Sequence, residues 1–138
     1  MSGLNNNFFD RFPNWLRWLF LPVVVVFTFF AATAAIGVIF WFARISSGVS
    51  ENSVLGWLHY YVAQPCVGGY AFVLIGSFVA PTKKFATSLV LGGLFATMNG
   101  MGIMDITLIG YNFGMLFAFI SGTVGAGIAV YQVKAETN

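Results

Sequence analysis

Four stretches without a single Asp, Glu, Lys or Arg divide the chain: between Arg17 and Arg44, Glu51 and Lys83, Lys84 and Asp105, and Asp105 and Lys134. Each is at least about twenty residues long and rich in Val, Ile, Leu, Phe, Ala and Gly. About twenty helical residues, rising 1.5 Å each, cross roughly 30 Å of hydrocarbon. The pattern predicts an all-α integral membrane protein, a four-transmembrane-helix bundle with spans over about 18–43, 54–80, 84–104 and 108–133. Residues 1–17 read as a short N-terminal interfacial amphipathic segment. Phe8, Phe12, Trp15, Leu16 and Leu19 recur at helix-like spacing, Arg11, Asn14 and Arg17 take the other positions, and Pro13 marks a break or helix start.

Local signals refine these bounds. Trp18 and Trp41 stand at opposite ends of the first span as interfacial anchors. Pro22 lies near its start, where helical N–H groups lack partners anyway. Pro65 has no N–H for the carbonyl of Tyr61 and should kink the second span, with Gly68 and Gly69 just beyond. Pro81 stops that span and Thr82 is placed to cap the next. Asp105 is placed to cap the fourth, which leaves almost no loop between spans three and four.

Composition agrees with this reading: 7% of residues are charged, against about a quarter in soluble domains. The 138 residues form a single membrane domain in which four spans use nearly the whole length. The first apolar run is about twice a secretory signal's core, so it reads as a retained span. The net charge of +2 is scattered and gives no footprint for nucleic acid. Cys66 is the only cysteine, which excludes an internal disulfide and a cysteine zinc cluster. Its simplest role is as a small apolar filler.

Basic residues set an orientation. Arg11, Arg17, Lys83, Lys84 and Lys134 fall on one side and Arg44 alone on the other, so the positive-inside rule places both termini in the cytoplasm. The cytoplasmic set also suits contact with anionic lipid headgroups. The runs 17–22 (Arg-Trp-Leu-Phe-Leu-Pro) and 80–84 (Ala-Pro-Thr-Lys-Lys) resemble those of small bacterial four-span proteins. That resemblance implies a bacterial inner-membrane location.

Within the spans the clearest pattern is a ladder of small residues. Gly110, Gly114, Ala118, Gly122 and Ala126 recur at every fourth position of the last span, and Ser88, Gly92, Ala96 and Gly100 do so in the third. Residues four apart share a helix face, and small side chains there let backbones approach closely, which drives association in lipid. Spans three and four are expected to pack on each other. A second small face, Ser121, Gly125 and Ala129, offers a surface to another copy of the chain.

Candidate chemistry is sparse. Met98, Met101 and Met104, with the single histidine His59 at a similar level, are soft ligands of the kind that hold Cu(I). Residues three apart drift around a helix, however, and flexible methionines also fill irregular space between helices. One histidine rules out bis-histidine haem within one chain. Arg44, Glu51, His59 and Asp105 form a polar outer rim. Nothing around His59 resembles a nucleophile–base pair, and there is no phosphate loop or dinucleotide fingerprint. The expectation is therefore a protein without catalytic residues or cofactors, acting as an accessory or assembly subunit or as a self-associating helix bundle. Its partners would be lipids, further copies of itself or another membrane protein. An oligomeric channel or facilitator for a small solute or ion is the alternative, and a copper-related role of the outer Met/His cluster a further one.

Overall fold

The computed structural model describes residues 11–48, 50, 53–109 and 113–137, with the backbone alone over 102–109. The chain is all-helical: α1 (Asn14–Ser47), α2 (Val54–Val79), α3 (Lys84–Ile109) and α4 (Phe113–Thr137). Three of them, α1, α2 and α4, are long and apolar enough to cross a membrane. The third helix, α3, is 26 residues long, and its described part, from Lys84 to Met101, is not among the three.

Pro13 stands at the N-cap of α1, and its carbonyl takes the N–H groups of Leu16 and Arg17 at 3.0 and 3.2 Å. The last four residues of the expected interfacial segment, Asn14–Arg17, are thus the first turn of a continuous 34-residue helix. Residues 1–10 lie outside the described residues. Pro22 is accommodated inside this helix. At the far end Gly48 adopts φ 65°, a left-handed conformation open to glycine without a Cβ clash, and its N–H closes on the Arg44 carbonyl at 2.9 Å. Ser53 then caps α2, its hydroxyl accepting the Gly56 N–H at 3.2 Å.

Five residues into α2 the helix widens into a π-turn, His59–Ala63, in which the Gln64 N–H returns to the His59 carbonyl. Pro65 follows immediately. It cannot donate to Tyr61, and the wide turn absorbs the mismatch. Ser121 of α4 donates its hydroxyl to that Tyr61 carbonyl at 3.0 Å. A neighbouring hydroxyl thus supplies the partner that Pro65 withholds.

Two expected helix ends move. The first N–H bond of α3 runs from Thr87 to the Lys83 carbonyl at 3.0 Å, so Lys83, at φ 50°, rather than Thr82, stands at the helix entry. Asp105 lies within the helical run of α3, which continues to Ile109, and so does not cap α4. The backbone of 105–109 stays helical, and residues 110–112, between α3 and α4, lie outside the described residues. The side chain of Asp105 also lies outside them.

The second helix, α2, is the centre of the arrangement: α1, α3 and α4 all pack on it, and α3 and α4 pack on each other. The core runs along α2 and its neighbours, through Leu21, Val25, Phe72, Val73, Val79, Leu91, Phe95, Ala126 and Ala129. The first helix, α1, is peripheral. Of its 34 residues only Arg17, Leu21 and Val25 are buried, one narrow stripe at every fourth position. Its flanks, including Phe27, Phe30, Ile39 and Phe42, are exposed.

Candidate functional site

The tightest seam joins α2 to α4. A Cβ on Gly69 would fall on the carbonyl of Gly122, and one on Gly125 on the carbonyl of Cys66. Both are backbone atoms that no rotamer change can move aside. Gly114 receives the Tyr61 ring, 2.6 Å from where a Cβ would stand. Ala126 and Ala129 are buried beside them. Small residues here bring two backbones into contact, which in an apolar medium maximises dispersion contacts.

Helices α3 and α4 do pack on each other as expected, but the closest backbone approach of α4 is to α2. Among the α4 ladder, Gly114 and Gly122 face α2 side chains or backbone, with Phe95 of α3 also over Gly122; Gly110 lies outside the described residues. On α3 the ladder does turn toward α4, but it meets large side chains there. Val130 lies 3.3 Å from a Cβ on Gly92, and Phe119 lies 3.6 Å from one on Gly100. Ser88 is fully buried and donates to the Phe85 carbonyl at 2.7 Å, while Ala96 and Ala118 are half-buried. The face Ser121, Gly125 and Ala129, expected to remain for another copy, is occupied by α2 as well. A four-residue repeat leaves a groove but does not name what fills it.

The second site is a buried cation. Arg17 is 5% exposed, although the sequence places it among rim charges. Its Nε donates to the Val79 carbonyl at 3.0 Å and its terminal nitrogen to the Ala80 carbonyl at 3.2 Å. These are carbonyls at the C-terminus of α2, where the last turn lacks intrahelical donors and the helix dipole is negative. Arg17 therefore fastens the start of α1 to the end of α2. Lys83 and Lys84 follow in the adjoining turn, and Lys84 and Glu136 line one small recess with Val133. The basic positions Arg17, Lys83, Lys84 and Lys134 thus gather at one end of the molecule, and Arg11 is exposed at the start of the described chain.

Toward the other end, α1 and α2 diverge and enclose an apolar groove of about 430 Å³, with Arg44, Ser47 and His59 on its lining. His59 is 7% exposed and its ring stacks on Phe40 at 4.2 Å with planes 4° apart. A second opening, about 290 Å³, lies between α1 and α3 and is lined by Phe29, Phe30, Phe72, Phe95, Met98 and Asn99. The Met/His cluster is therefore divided: His59 faces the first groove and Met98 the second. Met98 and Met101 are 64% and 69% exposed, and the side chain of Met104 lies outside the described residues. Among the described residues no three His, Cys, Asp or Glu side chains converge. Of the polar rim, Arg44 and His59 share a groove, whereas Glu51 and the Asp105 side chain lie outside the described residues.

Sequence reasoning passed over Arg17 as a buried clamp and Cys66, Gly68, Gly69 and Gly76 as the packing face of α2. Both had signals. Arg17 is spaced by four from Leu21 and Val25, and so shares their face. Gly69 and Gly76 are seven apart, which also returns to one face of a helix. Comparison with known proteins finds no match among family models, curated proteins or solved structures.

Proposed function

We propose that the chain is a bacterial inner-membrane protein whose four helices all cross the bilayer as a bundle with both termini cytoplasmic, and that it serves without catalysis as an accessory or assembly subunit. The single observation that carries this reading is the asymmetry of α1. That helix is held to α2 by one stripe and one arginine clamp, and presents large apolar side chains on both flanks. In lipid such a helix is the natural surface for a partner's helix. The gathering of Arg17, Lys83, Lys84 and Lys134 at one end supports the orientation. With the small faces of α4 occupied by α2, self-association through α4 loses its support, and the partner surface moves to α1. A channel through one copy has little room between α2 and α4, where backbones touch.

Purification from native membranes in mild detergent tests the proposal. It should recover a homo-oligomer or a stable membrane-protein partner that crosslinks to cysteines introduced at the exposed Phe27 or Phe42 but not at the buried Ala129. A monodisperse monomer with no co-purifying protein would overturn it.

A further inference from the structure

We propose that the groove between α1 and α2 binds one anionic glycerophospholipid, with its phosphate at Arg44, an ester carbonyl at His59 and an acyl chain along the apolar floor below. The inference rests on the membrane reading above but adds a defined site to it.

Three observations converge. First, the groove is apolar along its length and polar at one end. Ile36, Ile39 and Val62 line its deeper part, whereas Arg44 and Ser47 stand at its mouth. Second, His59 is more than nine-tenths buried, yet among the described residues its imidazole has no hydrogen-bond partner. No described side-chain nitrogen or oxygen is both fully enclosed and unpartnered, so the ring nitrogens keep accessible surface, and His59 lines the groove. An accessible imidazole N–H beside the groove can donate to a ligand carbonyl. Third, the levels match a phospholipid. Phe40, which stacks on His59, lies four residues before Arg44, about 6 Å deeper at 1.5 Å per residue. Ile36 is about 6 Å deeper again. Phosphate, ester and chain follow one another in that order along a lipid. Arg44 already makes an interaction of its own, but a guanidinium carries five donors and retains capacity for a phosphate.

His59 is the sole histidine, so its imidazole gives a single pair of ring-nitrogen signals. The delipidated protein in dodecyl maltoside is titrated with phosphatidylglycerol while the imidazole ¹⁵N resonances are followed, and bound lipid is counted by native mass spectrometry. The expected result is one retained lipid per chain and a saturable imidazole shift, with diacylglycerol, which lacks the phosphate, much weaker. Arg44→Gln should weaken binding about five- to tenfold. Ala63→Leu, at an exposed position on the groove lining, should block it without disturbing the fold. An imidazole unmoved by phosphatidylglycerol would overturn the proposal. So would equal binding of diacylglycerol, binding unchanged in both variants, or preference for a quinone insensitive to Arg44→Gln. Failure of the membrane reading shows separately, as release of the chain from native membranes by alkaline washing.

Discussion

The α2–α4 and α1–α2 contacts are both helix pairings of similar apolar composition, yet they are built in different ways. Between α2 and α4 the backbone itself is the contact: Gly69 lies on Gly122 and Gly125 on Cys66. Between α1 and α2 side chains do the packing. Val25 fills the space over Gly76, Phe29 lies over Gly68, 2.8 Å from where a Cβ would stand, and Phe40 stacks on His59. At one end Arg17 adds two charge-assisted bonds. A backbone seam has no slack, because carbonyls cannot rotate out of the way. A side-chain seam can repack, and by diverging it leaves grooves. The rigid seam therefore reads as scaffold, and the adaptable one as the part that meets lipids and partners.

The comparison can be broken at its rigid side first. Gly125→Val should push α4 off α2 and cost about 3 kcal/mol, the upper end for overpacking, because the obstacle is the Cys66 carbonyl. Unfolding in mixed detergent followed by circular dichroism reads the loss. A change below roughly 0.5 kcal/mol, the range of a neutral surface substitution, would show that the two backbones are not in contact.

Next in size is the clamp. Arg17→Met keeps the length of the side chain but removes both bonds to the α2 C-terminus, at about 1.5–3 kcal/mol for hydrogen bonds to a charged donor. Arg17→Lys should recover part of this, since an ammonium supplies the charge but not the planar fork. A loss equal for Met and Lys would mean that geometry alone matters. No loss for either would remove the clamp. Accessibility of a cysteine placed at Leu21 reports whether α1 has come away from α2.

A smaller effect belongs to Ser121→Ala, which takes the hydroxyl from the Tyr61 carbonyl beside Pro65. Interhelical side-chain bonds in membranes average about 0.6 kcal/mol. Combining it with Pro65→Ala should bring back part of that loss, because the substituted residue regains a backbone N–H that can donate to Tyr61 itself. Independent, additive effects in the double variant would contradict the pairing of Ser121 with the proline's orphaned carbonyl.

The smallest change in stability, within about 0.5 kcal/mol, is expected for Phe30→Ala on the exposed flank of α1. The same variant should sharply reduce recovery of the partner or oligomer in crosslinking. Partner recovery equal to that of the unaltered chain would move the docking surface elsewhere.

Helix composition and most helix ends were legible because they depend on neighbours along the chain. Uncharged runs gave the helical stretches, Pro81 the end of α2, and Pro65 a disturbance whose form, a π-turn, was not readable. Asp105 misled because an acidic residue after an uncharged run looks like a cap, although a helix can simply continue through it. The described part of the third helix, which opens on Lys84 and carries Asn99, is not among the stretches apolar enough to cross a membrane.

The candidate site was less legible. Met98 and His59 were expected at a similar level, but His59 stacks on Phe40 whereas Met98 shares an opening with Phe29 and Phe30, about ten residues earlier on α1 and so roughly 15 Å away along it. His59 turns to α1 and Met98 to the opening beside α3. Arg17 was counted as a topology charge, and its burial depends on where the last carbonyls of α2 come to rest, more than sixty residues along the chain.

By itself the sequence determined that this chain is helical and apolar enough for a membrane, and that its small residues recur on shared faces. Those properties follow from composition and helix period, which are local. Only the tertiary structure decided which faces meet. A glycine groove accepts any backbone, and an arginine any free carbonyl, so α2 rather than α3 became the close partner of α4 through the three-dimensional fit of Gly69 and Cys66 against Gly122 and Gly125.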